Sequence, residues 1–514
     1  AAAAALRARA PPEPARPPHR RDAADRVADR PAEPAAVRAG APPRPVAAAL
    51  PRRAPAAGRA RRRRRPAERA LRPAGARCRR APSRVVGGGP RPGRLRAALR
   101  RHLRRAAGER RPARPAPGRP APGADRAALG AAAMTREHRP ERFAQLTYTS
   151  SDGGDRPGGW GVQDVAGTLD APERAALTRR IVPRFVPVPG LPAYPAPEQL
   201  AARPARVVHA PAGPGTAYWH TVACGTDAHG RPGNVFVHVL LDRGPPATEA
   251  TGSPVRPADL AASGSWLRPF GHAEVATTAL RTVPAPPWTA EPGRAAVLDF
   301  LFAEGGAGIA TLCLLLDALD AALRGGRPVV LGPAAMDRAP LWIAAADHLM
   351  SLGAARRCGW STYERVPHAG EWPADLHLVA VPAADLAAMS AGSAPSATVL
   401  DEDEEVPRAD LGDAPRTTRH GEQVAVTPWS VMAFVVLAER AGAEALLSRM
   451  DAAGAAVPEA THPAWAMAMA IAQAPDLAPD AVPAACAVLS STTPPSVAVR
   501  HPALYDDVLA LVSR

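Results

Sequence analysis

The charge of this chain changes sign at Met134. Residues 1–133 hold 35 arginines against 8 acidic residues, a net of +27, while residues 134–514 hold 29 against 40, a net of −11. Taken whole, the +16 of the 514-residue chain would point to a nucleic-acid or membrane-surface binder. The split shows that the basic character lives in the first segment alone. That segment is built almost wholly from Ala, Arg, Pro and Gly and has no Phe, Tyr, Trp, Met or Ile, so it has little apolar surface to offset the entropy of ordering a chain. Its prolines recur too often for a helix to persist. The composition predicts a disordered Arg/Ala/Pro-rich extension over 1–133. The chain has no lysine, its first methionine is Met134, and Ala, Arg, Pro and Gly are the residues that GC-rich codons favour. The segment reads either as a disordered arginine-rich tail or as upstream DNA translated from a start site assigned too early. The second reading is preferred, with the functional protein expected to begin at or very near Met134. The Arg61–Arg65 run would bind nucleic acid by counterion release if the segment is translated, and nucleic acid is otherwise not expected as a partner.

The N-terminus lacks the apolar core of a secretory signal. Runs such as Leu312–Leu316 and Val431–Ala438 fall short of the ~18 apolar residues that span a bilayer. The five cysteines (Cys78, Cys224, Cys313, Cys358 and Cys486) include no CxxC pair, which argues against a disulfide framework or zinc knuckle and for small buried residues in a reducing cytosol. The localisation expected is cytoplasmic, without membrane association.

The patterning after Met134 predicts an α+β protein. A β-rich N-terminal domain is expected over 134–285, an α/β middle domain over 290–405 and a mainly helical part over 424–514. In the first, Ala144–Ser150 alternates, Arg206–Ala210 is a short apolar run, and Tyr218–Cys224 and Asn234–Leu241 are strands joined by the nine-residue loop GTDAHGRPG. Val235, Val237, Val239 and Leu241 share one face of the last strand and Phe236, His238 and Leu240 the other, so it is expected to be central and buried. Beyond the proline-rich Pro284–Gly293 linker the period becomes helical. Leu312, Leu315, Leu316, Leu319 and Leu323 mark one helix face, with Asp320 and Arg324 on the polar side and Gly325–Gly326 as the stop. Val329–Gly332, Arg357–Tyr363 and Leu376–Val381 read as strands and Met336–Leu352 as one helix. Asp401–Glu405 reads as a solvated acidic linker, and Thr427–Ala455, Pro463–Ala474 and the tail from Pro502 as helical.

Motifs that carry chemistry do not emerge. A Walker A lysine is impossible without lysine, and GxGxxG after a strand, GxSxG, HExxH and the deaminase HxE/PCxxC pattern do not occur. No catalytic, cofactor-binding or metal-ligating residue is assigned. Reactive side chains concentrate only around the central hairpin: His220, Cys224, Asp227, His229, Arg231, Asn234 and His238. His220 and His238 on neighbouring strands could serve as metal ligands or as a general base and its partner. The competing reading makes His238 a hydrogen-bonded core histidine and Asp227–Gly233 turn chemistry. Trp160, Trp219, Trp266 and Trp342 are read as core anchors.

The segments FAQLTYTSSDGGDRPGGWGVQDV (143–165) and GTDAHGRPGNVFVHVLLDR (225–243) resemble the N-terminal domain of GTPase-associated protein 1. PADLAASGSWLRPFG (257–271) is similar to the segment that follows there, and LWIAAADHLM (341–350) with RRCGWSTYER (356–365) resembles that family's middle domain. The matching positions include Gln145, Tyr148, Arg231, Asn234 and His238, and with His220 these form the candidate functional surface. The resemblance implies an adaptor working beside a GTPase and effector proteins in bacterial conflict (defence) systems, including those of GC-rich actinobacteria, and it transfers no catalytic residues. It also implies a longer C-terminal region than this chain has, while the basic extension has no counterpart. The function expected is a non-enzymatic regulatory or adaptor protein. The alternatives are a metal-dependent or hydrolytic enzyme using His220, His229 and His238, and an arginine-rich nucleic-acid binder through residues 1–133.

Overall fold

The computed structural model describes residues 141–513 apart from 152–157, 193, 214, 228, 245–254, 281–290, 367–371, 390–395 and 456–460. The expected extension over 1–133 and most of the Pro284–Gly293 linker lie outside the described residues.

The chain opens with β1 (Phe143–Ser151) and β2 (Gly159–Ala166), an antiparallel pair. The helix α1 (Ala171–Arg179) follows. Its start is set by Asp170, whose carboxylate accepts from Glu173 N at 2.7 Å while the Glu173 side chain accepts from Asp170 N. After α2 (Pro197–Ala201) come β3 (Ala205–Ala212), β4 (Gly215–Thr226) and β5 (Pro232–Asp242), then the short α3 (His272–Thr277). Strands β4 and β5 run further than their apolar cores, so the expected nine-residue loop shrinks to 227–231.

The next stretch alternates helices with parallel strands: α4 (Arg294–Phe302), α5 (Gly308–Leu323), β6 (Val329–Gly332), α6 (Ala339–His348), α7 (Leu352–Arg357), β7 (Gly359–Ser361), β8 (Leu376–Ala380), α8 (Ala383–Ala388) and β9 (Thr398–Asp401). A small ribbon, β10 (Arg416–Thr417) with β11 (Gln423–Val424), leads into α9 (Pro428–Val436), α10 (Arg440–Ala455), α11 (Trp465–Gln473), α12 (Val482–Thr492), α13 (Pro495–Arg500) and α14 (Pro502–Ser513).

Among the described residues nine strands form one mixed sheet, ordered β2-β1-β5-β4-β3-β7-β8-β6-β9. The antiparallel half joins the parallel half where β3 pairs with β7, Val208 opposite Ser361 and His209 opposite Trp360. The fold is α+β, and its sheet continues from the β-rich region into the α/β region without a break at that seam. One face carries Leu146, Val237, Val239, Trp219 and Val379, covered in part by Leu177 and Phe185; the other carries Leu240, Tyr218, Trp360 and Leu378 under the helical layer. As expected for a central strand, β5 lies between β1 and β4, and Asn234 to Leu241 are all buried.

Several local expectations are corrected. Met336–Leu352 is not one helix: Pro340 sits in the first turn of α6, and Ser351 caps a new helix by accepting from Ala354 N at 3.3 Å. Thr427–Ala455 divides into α9 and α10, and α12 and α13 have no counterpart in the periodicity reading because alanines blur their apolar stripe. Asp320 is not on a solvated helix face but is 1% exposed. The Asp401–Glu405 run is partly tied down: Asp401 pairs with Arg419 at 2.9 Å, and Glu402 pairs with Arg338 and accepts from Ala334 N at 2.6 Å. The α5 stop behaves as the sequence predicts. Gly325 takes φ +87°, and a Cβ on Gly326 would lie 2.6 Å from the Ala321 carbonyl oxygen.

Three buried arginine–carboxylate pairs rivet distant segments. Arg206 on β3 meets Glu364 just beyond β7 at 2.7 Å, and Arg416 on β10 meets Asp317 on α5. Arg256 reaches Asp451 on α10 at 2.6 Å while donating to the carbonyls of Asp347 and Met350 at 2.6 and 3.0 Å. Breaking such a pair strands a charge in low dielectric, at a cost of roughly 3–5 kcal/mol.

Candidate functional site

The hairpin cluster assembles as strand pairing dictates. His238 on β5 lies opposite His220 on β4. His238 Nε2–H donates to Gln145 Oε1 on β1 at 2.8 Å, and its Nδ1 accepts from Leu267 N–H at 3.3 Å. Those two bonds fix the neutral Nε2–H tautomer, and burial pushes the ring's pKa down to about 3. His220 stacks on Trp266 with centroids 5.1 Å apart and planes 3° from parallel, and His238 meets the same indole edge-on at 5.3 Å. Burial, with smaller contributions from His238, Arg268 and Arg203, holds the His220 pKa well below the usual imidazole range. Two neutral rings clamped about a buried indole are poor proton acceptors at neutral pH.

Asn234 does the corresponding work at the turn end of the strands. Its Nδ2 donates to Ser150 O at 3.1 Å and its Oδ1 faces Thr149 Oγ1 and Ser150 N at 3.4 Å, so β1 and β5 are laced together. In the turn, Asp227 Oδ1 accepts from His229 N and Arg231 N at 2.9 Å, and Oδ2 accepts from Arg231 Nε at 2.7 Å. Gly230 and Gly233 adopt φ of +75° and +93°. This is the turn chemistry that the competing sequence reading anticipates. His229 belongs to this exposed turn, while His220 stands six residues inside Thr226, roughly 20 Å along a strand. Histidines 220, 229 and 238 therefore do not converge, and among the described residues no group of three or more His, Cys, Asp or Glu side chains is placed to hold a metal.

Of the six candidate residues, Gln145, His220, Asn234 and His238 are buried, at 5, 2, 4 and 2% exposure. Tyr148 is half-buried and Arg231 exposed, so the set divides between a sheet interior and a rim. Cys224, Cys313 and Cys358 are buried, as expected, and burial pushes the Cys224 thiol up to about 12. Cys486 is half-buried, and Cys78 lies outside the described residues.

The rim also carries residues that sequence reasoning misplaced. Trp219, Trp266 and Trp342 are core anchors, but Trp160 is 44% exposed on β2, stacked on Tyr148 with centroids 6.0 Å apart. Its flanking residues are Gly158, Gly159 and Gly161, a signal that an indole there has few side chains to pack against. Gln163, at the irregularity between β1 and β2, bonds Ser151 Oγ at 3.0 Å and the carbonyls of Thr149 and Gly161 at 3.3 Å. Strand β2 ends the sheet and pairs with β1 alone among the described strands; on it Val165 N donates to Asp164 Oδ1 at 2.9 Å and Asp164 Oδ2 accepts from Leu280 N at 2.6 Å. Val165, 36% exposed, lies further along this edge strand.

Residues 142–286 match GTPase-associated protein 1, N-terminal domain type 2, and residues 301–403 match GTPase-associated protein 1, middle domain. The chain is also similar to a candidate ESX-1 scaffolding and assembly protein, SaeB, from two strains of Mycolicibacterium smegmatis, mc(2)155 and MKD8. Each is 40% identical over 368 residues, covering 70% of this chain. The chain spans 42% of the length of these relatives. No helix among the described residues is long and apolar enough to cross a membrane.

Proposed function

The chain belongs to the GTPase-associated protein 1 family, with a type 2 N-terminal domain and the middle domain, and on that premise we propose that it is a non-enzymatic adaptor in the cytoplasm. In this reading it works beside a partner GTPase and effector proteins in a bacterial conflict system, and the rim of β2 is where the protein partner docks. The observation that carries the docking site is the β2 edge, paired with no second strand among the described residues and bearing Trp160, 44% exposed and stacked on Tyr148. An edge strand offers unpaired backbone groups to an added strand. A half-exposed indole is the side chain most enriched among residues that dominate interface energetics. Behind this rim, Asn234 and His238 of β5 bond Ser150 O and Gln145 Oε1 of β1 and hold that strand in place, so little ordering entropy opposes docking. Support of another kind comes from the relatives, which are named for scaffolding and assembly.

The test is affinity capture with the tagged full chain from extract of its own cells, once with excess GTPγS and once with GDP. Recovery of a GTPase, identified by mass spectrometry and enriched in one nucleotide state, is the expected result. Clean bait in both conditions overturns the reading.

A further inference from the structure

The opposite end of the antiparallel strands holds a cavity of about 870 Å³. It is bounded by the β3–β4 turn, the end of β5, the last turn of α5, α7, the start of β8 and the segment before α11. Four arginines line it: Arg243, Arg324, Arg356 and Arg357. Two carboxylates, Asp242 and Asp320, and the imidazoles of His377 and His462 share the lining.

The engagements of these groups differ. Arg243 is spent on Glu173 at 2.6 Å and on two carbonyls, and Asp242 is paired with Arg142 at 2.9 Å. Arg357 donates to Thr461 O at 3.2 Å. Arg356, only partly exposed, has no hydrogen bond or ion pair with any described residue. Asp320 is the reverse case, a carboxylate 1% exposed, neither of whose oxygens is in a hydrogen bond among the described residues. Arg324 Nη2 stands 2.5 Å from Oδ2 and His462 Nε2 stands 3.1 Å from Oδ1, so the carboxylate is ion-paired to groups that line the same cavity, though neither contact has hydrogen-bond geometry.

We propose that this cavity binds a phosphorylated small molecule carrying free hydroxyl groups. Arg324 and Arg356 take the phosphate and Asp320 accepts from a hydroxyl. Arginine's planar fork matches phosphate oxygens, and the unengaged Arg356 lines the same cavity as Arg324, whose ion-pair partner is Asp320, so two guanidinium groups can attract a multiply charged anion there. A volume of this size suits a ligand of nucleotide dimensions, since small-molecule sites run from about 300 to 1,000 Å³. Asp320 adds selectivity: it repels a bare anion and rewards one that brings a hydroxyl donor.

Isothermal titration of the full chain with pyrophosphate, ATP and GTP at about 150 mM salt, where diffuse attraction is screened, tests the assignment. Saturable binding of at least one nucleotide, tighter than pyrophosphate, is expected. The double variant Arg324→Ala/Arg356→Ala should weaken it at least 10-fold, while Arg500→Ala, on an exposed position of α13, should not. Asp320→Asn should tighten pyrophosphate and weaken the nucleotide. Absence of saturable heat with all three probes overturns the proposal, as does nucleotide affinity unchanged in the arginine double variant whose melting temperature matches the parent. An Asp320→Asn variant that tightens both probes alike overturns the role given to Asp320.

Discussion

The centre of the β4–β5 ribbon and its open end near Gly215 and Asp242 both gather polar side chains, and they use them in opposite ways. In the centre, His238, Gln145, Asn234 and Thr149 hydrogen-bond one another or nearby backbone, and the two histidines are held neutral by burial. At the open end, Arg356 has no partner and Asp320 has no hydrogen bond among the described residues. What separates the two is charge and space: the centre is packed and neutral, although among the described residues His220 Nδ1 and Thr147 Oγ1 lack a hydrogen bond there too, while the open end lines a cavity with charged side chains. Closed groups hold strands in register; unmatched groups around a volume of about 870 Å³ leave something for a ligand to supply.

Two arginines a hundred positions apart give the largest contrast. Arg256→Ala should cost about 3 kcal/mol in urea unfolding of the full chain, because Asp451 would keep only Arg294 as its partner and two buried carbonyls would lose their donor. Arg356→Ala removes no ion pair and should shift stability by less than about 0.5 kcal/mol. Equal losses in the two variants would erase the distinction between closed and open groups.

Acid sharpens the comparison next. The folded pKa values of His209 and His238 are pushed by burial to about 3, against 6.5 for the free ring. The unfolded chain therefore takes up protons first, and this stability, present above pH 6.5, is lost as pH falls toward 3. Asp347 and Asp317 act in the other direction, raised by burial to about 7 and 6, so they contribute stability at low pH that is lost as pH rises to those values. The histidine share is isolated by comparing the parent with His238→Asn. At neutral pH the variant should lose roughly 1–3 kcal/mol with the Gln145 hydrogen bond. Between pH 6 and 4 its stability should fall less steeply than the parent's, by up to about 1.4 kcal/mol per pH unit. Parallel pH profiles would contradict a neutral buried His238.

The smallest stability effect belongs to the rim. Trp160→Ala, at a position 44% exposed, should cost no more than about 1 kcal/mol by chemical denaturation. A loss of several would show that the indole is a core anchor after all.

Strands and helices with strong periodicity were legible in the sequence: β5 with Val235, Val237 and Val239 on one face, and α5 with its Leu stripe and glycine stop. The seam between β3 and β7 was not, because residues 151 and 153 apart in sequence pair there and β7 has only three residues with which to signal it. The hairpin cluster was legible as a concentration of residue types because its members are near in sequence, yet the matching that closes it comes from Gln145 and Leu267 on other segments. The arginine cavity left no local trace, since Arg243, Arg324 and Arg356 come from three separate elements. Asp320 was misread because its i,i+4 spacing to Arg324 looks the same on a buried face as on an exposed one.

The division between interior and rim is tested most directly by GTPase capture with the parent chain, Trp160→Ala and His238→Asn in parallel. The expected result is capture by the parent and by His238→Asn, with at least a 10-fold loss for Trp160→Ala at unchanged melting temperature. Capture that survives Trp160→Ala and fails in a folded His238→Asn would contradict it.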